Sequence, residues 1–148
     1  MTLSDTFNKD TQIVAFNLGT NLFGVDILTV QEIIKVLSIT RVPKVGRSIE
    51  GVINLRGNVI PIFNLHKRFG ITPTEDNNDH RIIVFYFDDI RAGIIVDAVA
   101  EVLKIDQDQI EDAGNIYNGI ESDFIKGVGK VDDRLMLLLD FRKLFGLT

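Results

Sequence analysis

Few residues in this 148-residue chain combine the type and spacing that chemistry needs. The two histidines, His66 and His80, are the natural proton-transfer groups, but neither has a nucleophile and an orienting partner at a recognisable spacing. With Lys67 and Arg68 beside it, His66 reads as a surface residue. Asp88-Asp89 and Asp132-Asp133 resemble paired carboxylates, yet aspartate is equally favoured in hairpin turns, where it bonds to the local backbone. Asp106, Asp108 and Glu111 are spaced like part of a cation loop and lack the glycine and the final glutamate of an EF-hand. Gly127-Val128-Gly129-Lys130 lacks the remainder of a phosphate loop, and no GxGxxG is present. The chain has no cysteine, which removes disulfides and thiolate metal sites. No enzyme activity, cofactor or metal is expected. A small hydrolase using carboxylates among Asp132, Asp133 and Glu32 is the alternative from another class.

One charged group stands out by its setting. In GVINLRGNVIPIFNLHKRFG, Gly51 to Gly70, an apolar run stops at Arg56-Gly57, resumes through Pro61 and ends in a short basic segment. That pattern predicts a hairpin turning at Leu55-Arg56-Gly57-Asn58, with Gly57 supplying any positive φ, followed by a short helix. Arg56 then stands at a rim. A guanidinium fork near a carboxylate such as Glu32 would shape a partner surface, whereas a solvated turn arginine would do little. Pro61 lacks a ladder donor, so its strand is expected at an edge or a bulge.

The elements that must position Arg56 repeat. Placing Gly24 on Gly93, an offset of 69 residues, also sets Val14 on Ile83, Phe16 on Phe85, Val30 on Val99, Glu32 on Glu101 and Ile33 on Val102. Gly51 to Gly70 is echoed without a gap by Gly127 to Gly146, at an offset of 76. Each half reads as a strand hairpin, a V-x-E segment, a connection, and a hairpin closed by a short helix. The units are expected at about residues 11–72 and 80–148, within one domain from 11 to 148. Pro73 and residues 74–79 form the polar hinge between them, the termini crossing between units is left open, and residues 1–10 form a flexible N-terminus. Short strands in such numbers do not leave bare edges, so two small packed barrels are the simplest architecture. Runs apolar on both faces, IIVFYF and LMLLLDF, imply that the outside of one barrel packs on the other.

A formal charge of −5 argues against nucleic acid, which is bound through clustered Lys and Arg. No run has the roughly 18 apolar residues of a membrane helix, and no signal-peptide order opens the chain. A cytoplasmic location without membrane insertion is expected.

The motifs FGVDILTVQEI (Phe23 to Ile33), Val42-Pro43, IEGVINLRGNVIPIFNL (Ile49 to Leu65), GIIVDAV (Gly93 to Val99) and KGVGKVDDRLMLLLDF (Lys126 to Phe141) together resemble the CheW family of bacterial chemotaxis coupling proteins. The resemblance covers Thr11 to Gly146. It implies a mainly β fold of two SH3-like five-stranded barrels with short helices. It implies a non-enzymatic adaptor, recruited to membrane-associated arrays, that couples chemoreceptor cytoplasmic tips to the regulatory domain of the histidine kinase CheA. A paralogue serving a pilus or gliding system would look the same. By resemblance, Glu32, Arg56, Gly51 and Gly57 belong to a coupling region. Val14, Val25, Leu28, Val30 and Val99 are candidates for an apolar groove between the barrels that takes a receptor helix. From the residues alone, these aliphatics fit an inter-barrel core as well.

Overall fold

The computed structural model describes residues 10–42, 49–75, 77–111, 116–117, 120–121 and 124–145. Residues 1–9 of the expected N-terminal segment, Pro43 and Gly146 lie outside the described residues, and Asp10 already belongs to the first strand. Strands β1 (Asp10–Leu18) and β2 (Asn21–Asp26) form a hairpin, and a 3-10 turn, Ile27–Thr29, leads to β3 (Val30–Lys35). Strands β4 (Ile49–Leu55) and β5 (Asn58–Phe63) form a second hairpin, closed by helix α1 (Leu65–Phe69). A third hairpin, β6 (Arg81–Phe87) and β7 (Ile90–Val96), precedes β8 (Ala98–Asp106) and the two-residue β9 (Ile110–Glu111). Strands β10 (Ile116–Tyr117) and β11 (Ile120–Glu121) pair with each other. The last hairpin, β12 (Ile125–Val131) and β13 (Arg134–Leu139), is followed by α2 (Phe141–Leu144).

The fold is mainly β and is built as two SH3-like barrels. The first barrel has the strand order β8-β1-β2-β13-β12-β9, its sixth member being the short β9, and the second has the order β3-β6-β7-β5-β4. The barrels therefore do not follow the two halves of the sequence. Strand β3 leaves its own hairpin to pair with β6, and β8 pairs with β1. The polar connection around residues 74–79 joins α1 to β6, and its flanking strands β5 and β6 lie in the same sheet. The passages between barrels are the turn Ile27–Thr29 and the single residue Asp97.

The exchange is reciprocal down to register. Val30 lies opposite Phe85 and Val99 opposite Phe16, while Glu32 lies opposite Val84 and Glu101 opposite Ala15. In both pairs one residue, Gln31 or Ala100, is left over as a β-bulge. The repeated V-x-E is thus a bulge motif whose middle residue is the extra one. Matching bulges at Glu50 and Lys126 open the other two hairpins.

Three apolar clusters result from strands that bury both faces. Ile13, Ala15, Leu22, Ile105, Met136 and Leu138 fill the first barrel, and Ile53, Leu55, Ile60, Ile62, Ile82 and Val84 fill the second. The opposite faces of the same strands, including Val14, Phe16, Phe23, Val25, Ile83, Phe85, Ile94 and Leu137, meet in a core shared between barrels. The closing helices cross over as well. Phe69 stacks on Phe23 of the first barrel at 5.7 Å, while Phe145, just after α2, packs on Phe63, Phe85 and Phe87 of the second at 4.6, 6.0 and 6.4 Å.

Strand β5 is interior, not an edge, so the expectation for Pro61 needs correcting. Pro61 lies opposite Val52 of β4, and the ladder from β5 to β7 begins only at Ile62, so the missing N–H falls beyond that ladder. None of the described helices is long and apolar enough to cross a membrane.

Asp88-Asp89 and Asp132-Asp133 form two-residue hairpin turns with φ of 51°, 63°, 47° and 67°. Such turns demand the left-handed conformation, which aspartate tolerates and glycine prefers. Asp133→Gly is expected to raise the unfolding free energy by about 0.5–1 kcal/mol, read from the urea midpoint at unchanged slope. A lower midpoint would mean that the Asp133 side chain, not its backbone, matters at that turn.

Candidate functional site

The second barrel closes between its edges, β3 and β4. After β3 the chain turns back so that Thr40 and Val52 exchange two backbone hydrogen bonds of 2.9 Å each. Gly51 makes this possible, because a Cβ there would come within 2.3 Å of the Thr40 carbonyl oxygen. Its role at this position is therefore to admit the returning backbone.

At the rim of the same closure, the Arg56 guanidinium donates to the Glu32 carboxylate as an ion pair. The bulge at Gln31 places Glu32, and the β4–β5 turn places Arg56. Both Arg56 (φ 51°) and Gly57 (φ 87°) are left-handed, where a positive φ was expected at Gly57 alone. Asn54 Oδ1 accepts from the Gly57 amide at 2.9 Å and holds the turn. The side chains are 66% and 25% exposed for Arg56 and Glu32, so the pair faces solvent.

The pair continues into a polar chain that the sequence did not announce. Gln31 donates to Glu32 at 3.2 Å and accepts from Arg91 Nε at 3.1 Å. The Arg91 guanidinium stands 4.7 Å over the Tyr86 ring, and the Tyr86 hydroxyl donates to Asp89 at 3.1 Å. Around the corner, Glu50 accepts from Asn64 at 2.8 Å and pairs with Arg41 at 2.9 Å and Lys67 at 3.6 Å. Glu50, like Gln31, is a bulge residue. The bulges place both residues, since an extra residue in a strand re-aims side chains.

The clasp belongs to one barrel only. At the repeat offsets the equivalent positions are Glu101 and Asp132, two acids that cannot pair.

The five groove candidates separate. Val14 and Val25 are 1% and 0% exposed and belong to the shared core, so the reading of them as groove contacts is corrected: each has its whole side chain in contact with core neighbours. Val30 and Val99 are half-buried against that core at the two bulges. Leu28 is 86% exposed. It sits on the passage Ile27–Thr29, where Asp26 caps the turn by accepting from the Leu28 amide at 2.9 Å and Thr29 Oγ1 bonds the Asp26 carbonyl at 2.7 Å. Leu28 is thus an apolar side chain held out in solvent by a capped turn.

His66 is buried, not on the surface as expected, because α1 turns that side toward Asp97 while Lys67 and Arg68 face out. The acidic triplet is used locally: Asp106 Oδ1 accepts from the Asp108 amide at 3.0 Å and caps a turn.

A CheW-like domain model matches residues 12–148. The chain belongs to this family. It is 36% identical over 138 residues to "Chemotaxis protein CheW" of Treponema pallidum, covering 90% of this chain and 81% of that one. It is 36% identical over 145 residues to "Chemotaxis protein CheW" of Thermotoga maritima, covering 97% and 92%. The crystal structure of the scaffolding protein TtCheW from Thermoanaerobacter tengcongensis superposes with a TM-score of 0.85 at 41% identity, over 91% of this chain and 87% of that one. This chain is a CheW-family chemotaxis scaffold. In that setting the exposed clasp and Leu28, rather than any carboxylate cluster, are the candidate functional features.

The hydrogen bond from Arg56 holds the Glu32 carboxyl below its ordinary value of 4.5; partial burial opposes this, and Gln31 adds to it. A lowered carboxyl contributes stability above its unfolded value and loses it as the pH falls through the folded one. The clasp is therefore intact throughout neutral pH and opens only in acid. Carboxyl-carbon NMR should show Glu32 titrating below the other exposed glutamates and moving up in Arg56→Ala. An unchanged Glu32 titration in that variant would remove Arg56 as the cause.

Proposed function

We propose that this chain is a non-enzymatic adaptor that couples chemoreceptor cytoplasmic tips to the histidine kinase CheA in a chemotaxis array on the cytoplasmic side of the membrane. The observation that carries the reading is the Glu32–Arg56 clasp. An arginine occupies a left-handed turn position that the β6–β7 and β12–β13 hairpins give to aspartate and the β1–β2 hairpin to glycine, and its guanidinium stands in solvent on a carboxylate. A residue kept at a conformation its backbone disfavours points to a job for the side chain. Family membership supports these partners, and the exposed Leu28 offers an apolar side chain suited to one face of a receptor helix, with Val30 and Val99 half-buried against the shared core. Coupling then works by geometry: two partners held on one rigid body bias each other's conformational equilibrium through differential contact.

Calorimetric titration with a CheA regulatory-domain fragment and, separately, a receptor-tip fragment tests this. Wild type is expected to bind both saturably. Arg56→Ala should weaken one of them by about 1–2 kcal/mol, and Leu28→Ser should weaken the receptor fragment while changing stability by less than about 0.5 kcal/mol. Binding of neither fragment by wild type would end the assignment to this receptor–kinase pair.

A further inference from the structure

Asp97 is the residue on which the second passage between barrels turns, and it is 2% exposed. Its backbone N–H donates to the Asn17 carbonyl at 2.9 Å. Its Oδ2 accepts from the Gly19 amide in the β1–β2 turn and, at 3.3 Å, from the Thr74 amide. Its Oδ1 faces Nε2 of His66 at 3.0 Å and Nε2 of His80 at 3.4 Å. His80 Nε2 also lies 3.2 Å from Thr74 Oγ1. Both histidines of the chain thus converge on one carboxylate oxygen, and backbone amides hold the other. Three stretches distant in sequence meet there: the β1–β2 turn, α1 with the connection after it, and the step from β7 to β8. The β1–β2 turn also packs directly on that connection, since a Cβ on Gly19 would lie 2.7 Å from Ile71 Cγ2 and 2.9 Å from the Thr72 carbonyl oxygen.

The repeat offset that superposes Gly24 on Gly93 superposes Leu28 on Asp97. The two passages are therefore equivalent positions with opposite chemistry, and they sit toward opposite ends of β1. Asp26, just before the Leu28 turn, pairs with Ile13, whereas Asp97 bonds Asn17. One passage carries a buried charge satisfied by several donors; the other carries a leucine in solvent.

We infer that Asp97, with His66 and His80, is a latch that fixes the angle between the two barrels and so sets the geometry of the open passage at Leu28. The buried carboxylate is stable only where all these donors point at it, which restricts the barrels to one relative orientation. Because Asn17 and Gly19 belong to one barrel and His66, Thr74 and His80 follow the strands of the other, a rotation between barrels pulls donors off Asp97 as it displaces the Leu28 passage. The latch itself is independent of the proposed partners; its effect on Leu28 as a receptor contact rests on the function proposed above.

The absence of cysteine allows a direct test. Spin labels at Val59→Cys in the second barrel and Leu135→Cys in the first, both exposed positions, report the inter-barrel distance. The otherwise wild-type chain is expected to give one narrow distance distribution. Asp97→Asn, which presents an NH2 group where the carboxylate accepts, should shift or broaden that distribution. It should also speed exchange of the Gly19 and Thr74 amides about tenfold, leaving the paired amides of β6 and β7 nearly unchanged. An unchanged distribution, or equal loss of protection everywhere, overturns the latch. If Asp97→Asn does not fold, His80→Ala serves with the Thr74 amide as reporter, and unchanged exchange there overturns it. Affinity for the receptor-tip fragment separates the two claims. No binding by wild type defeats the function proposed above and leaves the distance result to decide the latch, whereas equal binding by wild type and a variant with a shifted distribution defeats the coupling to Leu28.

Discussion

Strands β1 and β6 each bury two faces, and the rest of the molecule follows from that. Ile13 and Ala15 point into the first barrel while Val14 and Phe16 point out of it, and Ile82 and Val84 are set against Ile83 and Phe85 in the same way. A barrel whose outside is that apolar cannot face water, since each large aliphatic or aromatic side chain left exposed forgoes roughly 1.5–3 kcal/mol of burial. Two such barrels share one seam. Each also supplies the phenylalanine, Phe69 or Phe145, that packs on the other's strands. Polar groups are left to the rims, the turns and the Asp97 node.

The rim departs from local backbone preference at one position. Besides the β1–β2 turn, which uses Gly19, three described hairpins need left-handed turn residues, and two meet the need with Asp-Asp. The third uses Arg-Gly, and its arginine finds Glu32 because the Gln31 bulge rotates that carboxylate into reach. The equivalent turn of the other barrel keeps the backbone solution and has no cation to offer. The duplication therefore retained a scaffold twice and a clasp once.

Much of this was legible in the sequence, and what was not has physical reasons. The offsets of 69 and 76 exposed the repeat because glycines and strand hydrophobics are fixed by close packing; Gly24 and Gly93 both stand where a Cβ would collide with a neighbouring side chain. Which β1-like strand β3 chooses was not legible, because the two pairings are equivalent under the same repeat and satisfy one pattern equally. Val14 and Val25 were indistinguishable from groove residues because a strand buried on both faces loses the alternation that tells one side from the other. His66 was misread since α1 spans only Leu65–Phe69, too short for its flanking Lys67 and Arg68 to reveal a periodic buried face. The Glu32–Arg56 corner was anticipated as a neighbourhood; the polar chain through Gln31 and Arg91 was hidden, because bulge position depends on pairing rather than on composition.

The interleaved connectivity also sets an order of assembly. All strands of the second barrel lie within Val30–Val96, so it can close as soon as that stretch of chain exists. The β1–β2 hairpin is synthesised earlier but completes its sheet only when β8 arrives and when Leu137 of β13 reaches Phe23. Until then a ribbon whose first strand is buried on both faces in the finished protein waits with open edges, the condition under which nascent chains associate wrongly. The protein thus carries, in its own topology, a slow and sequence-distant closure that makes its yield in the cell sensitive to synthesis rate and chaperone supply.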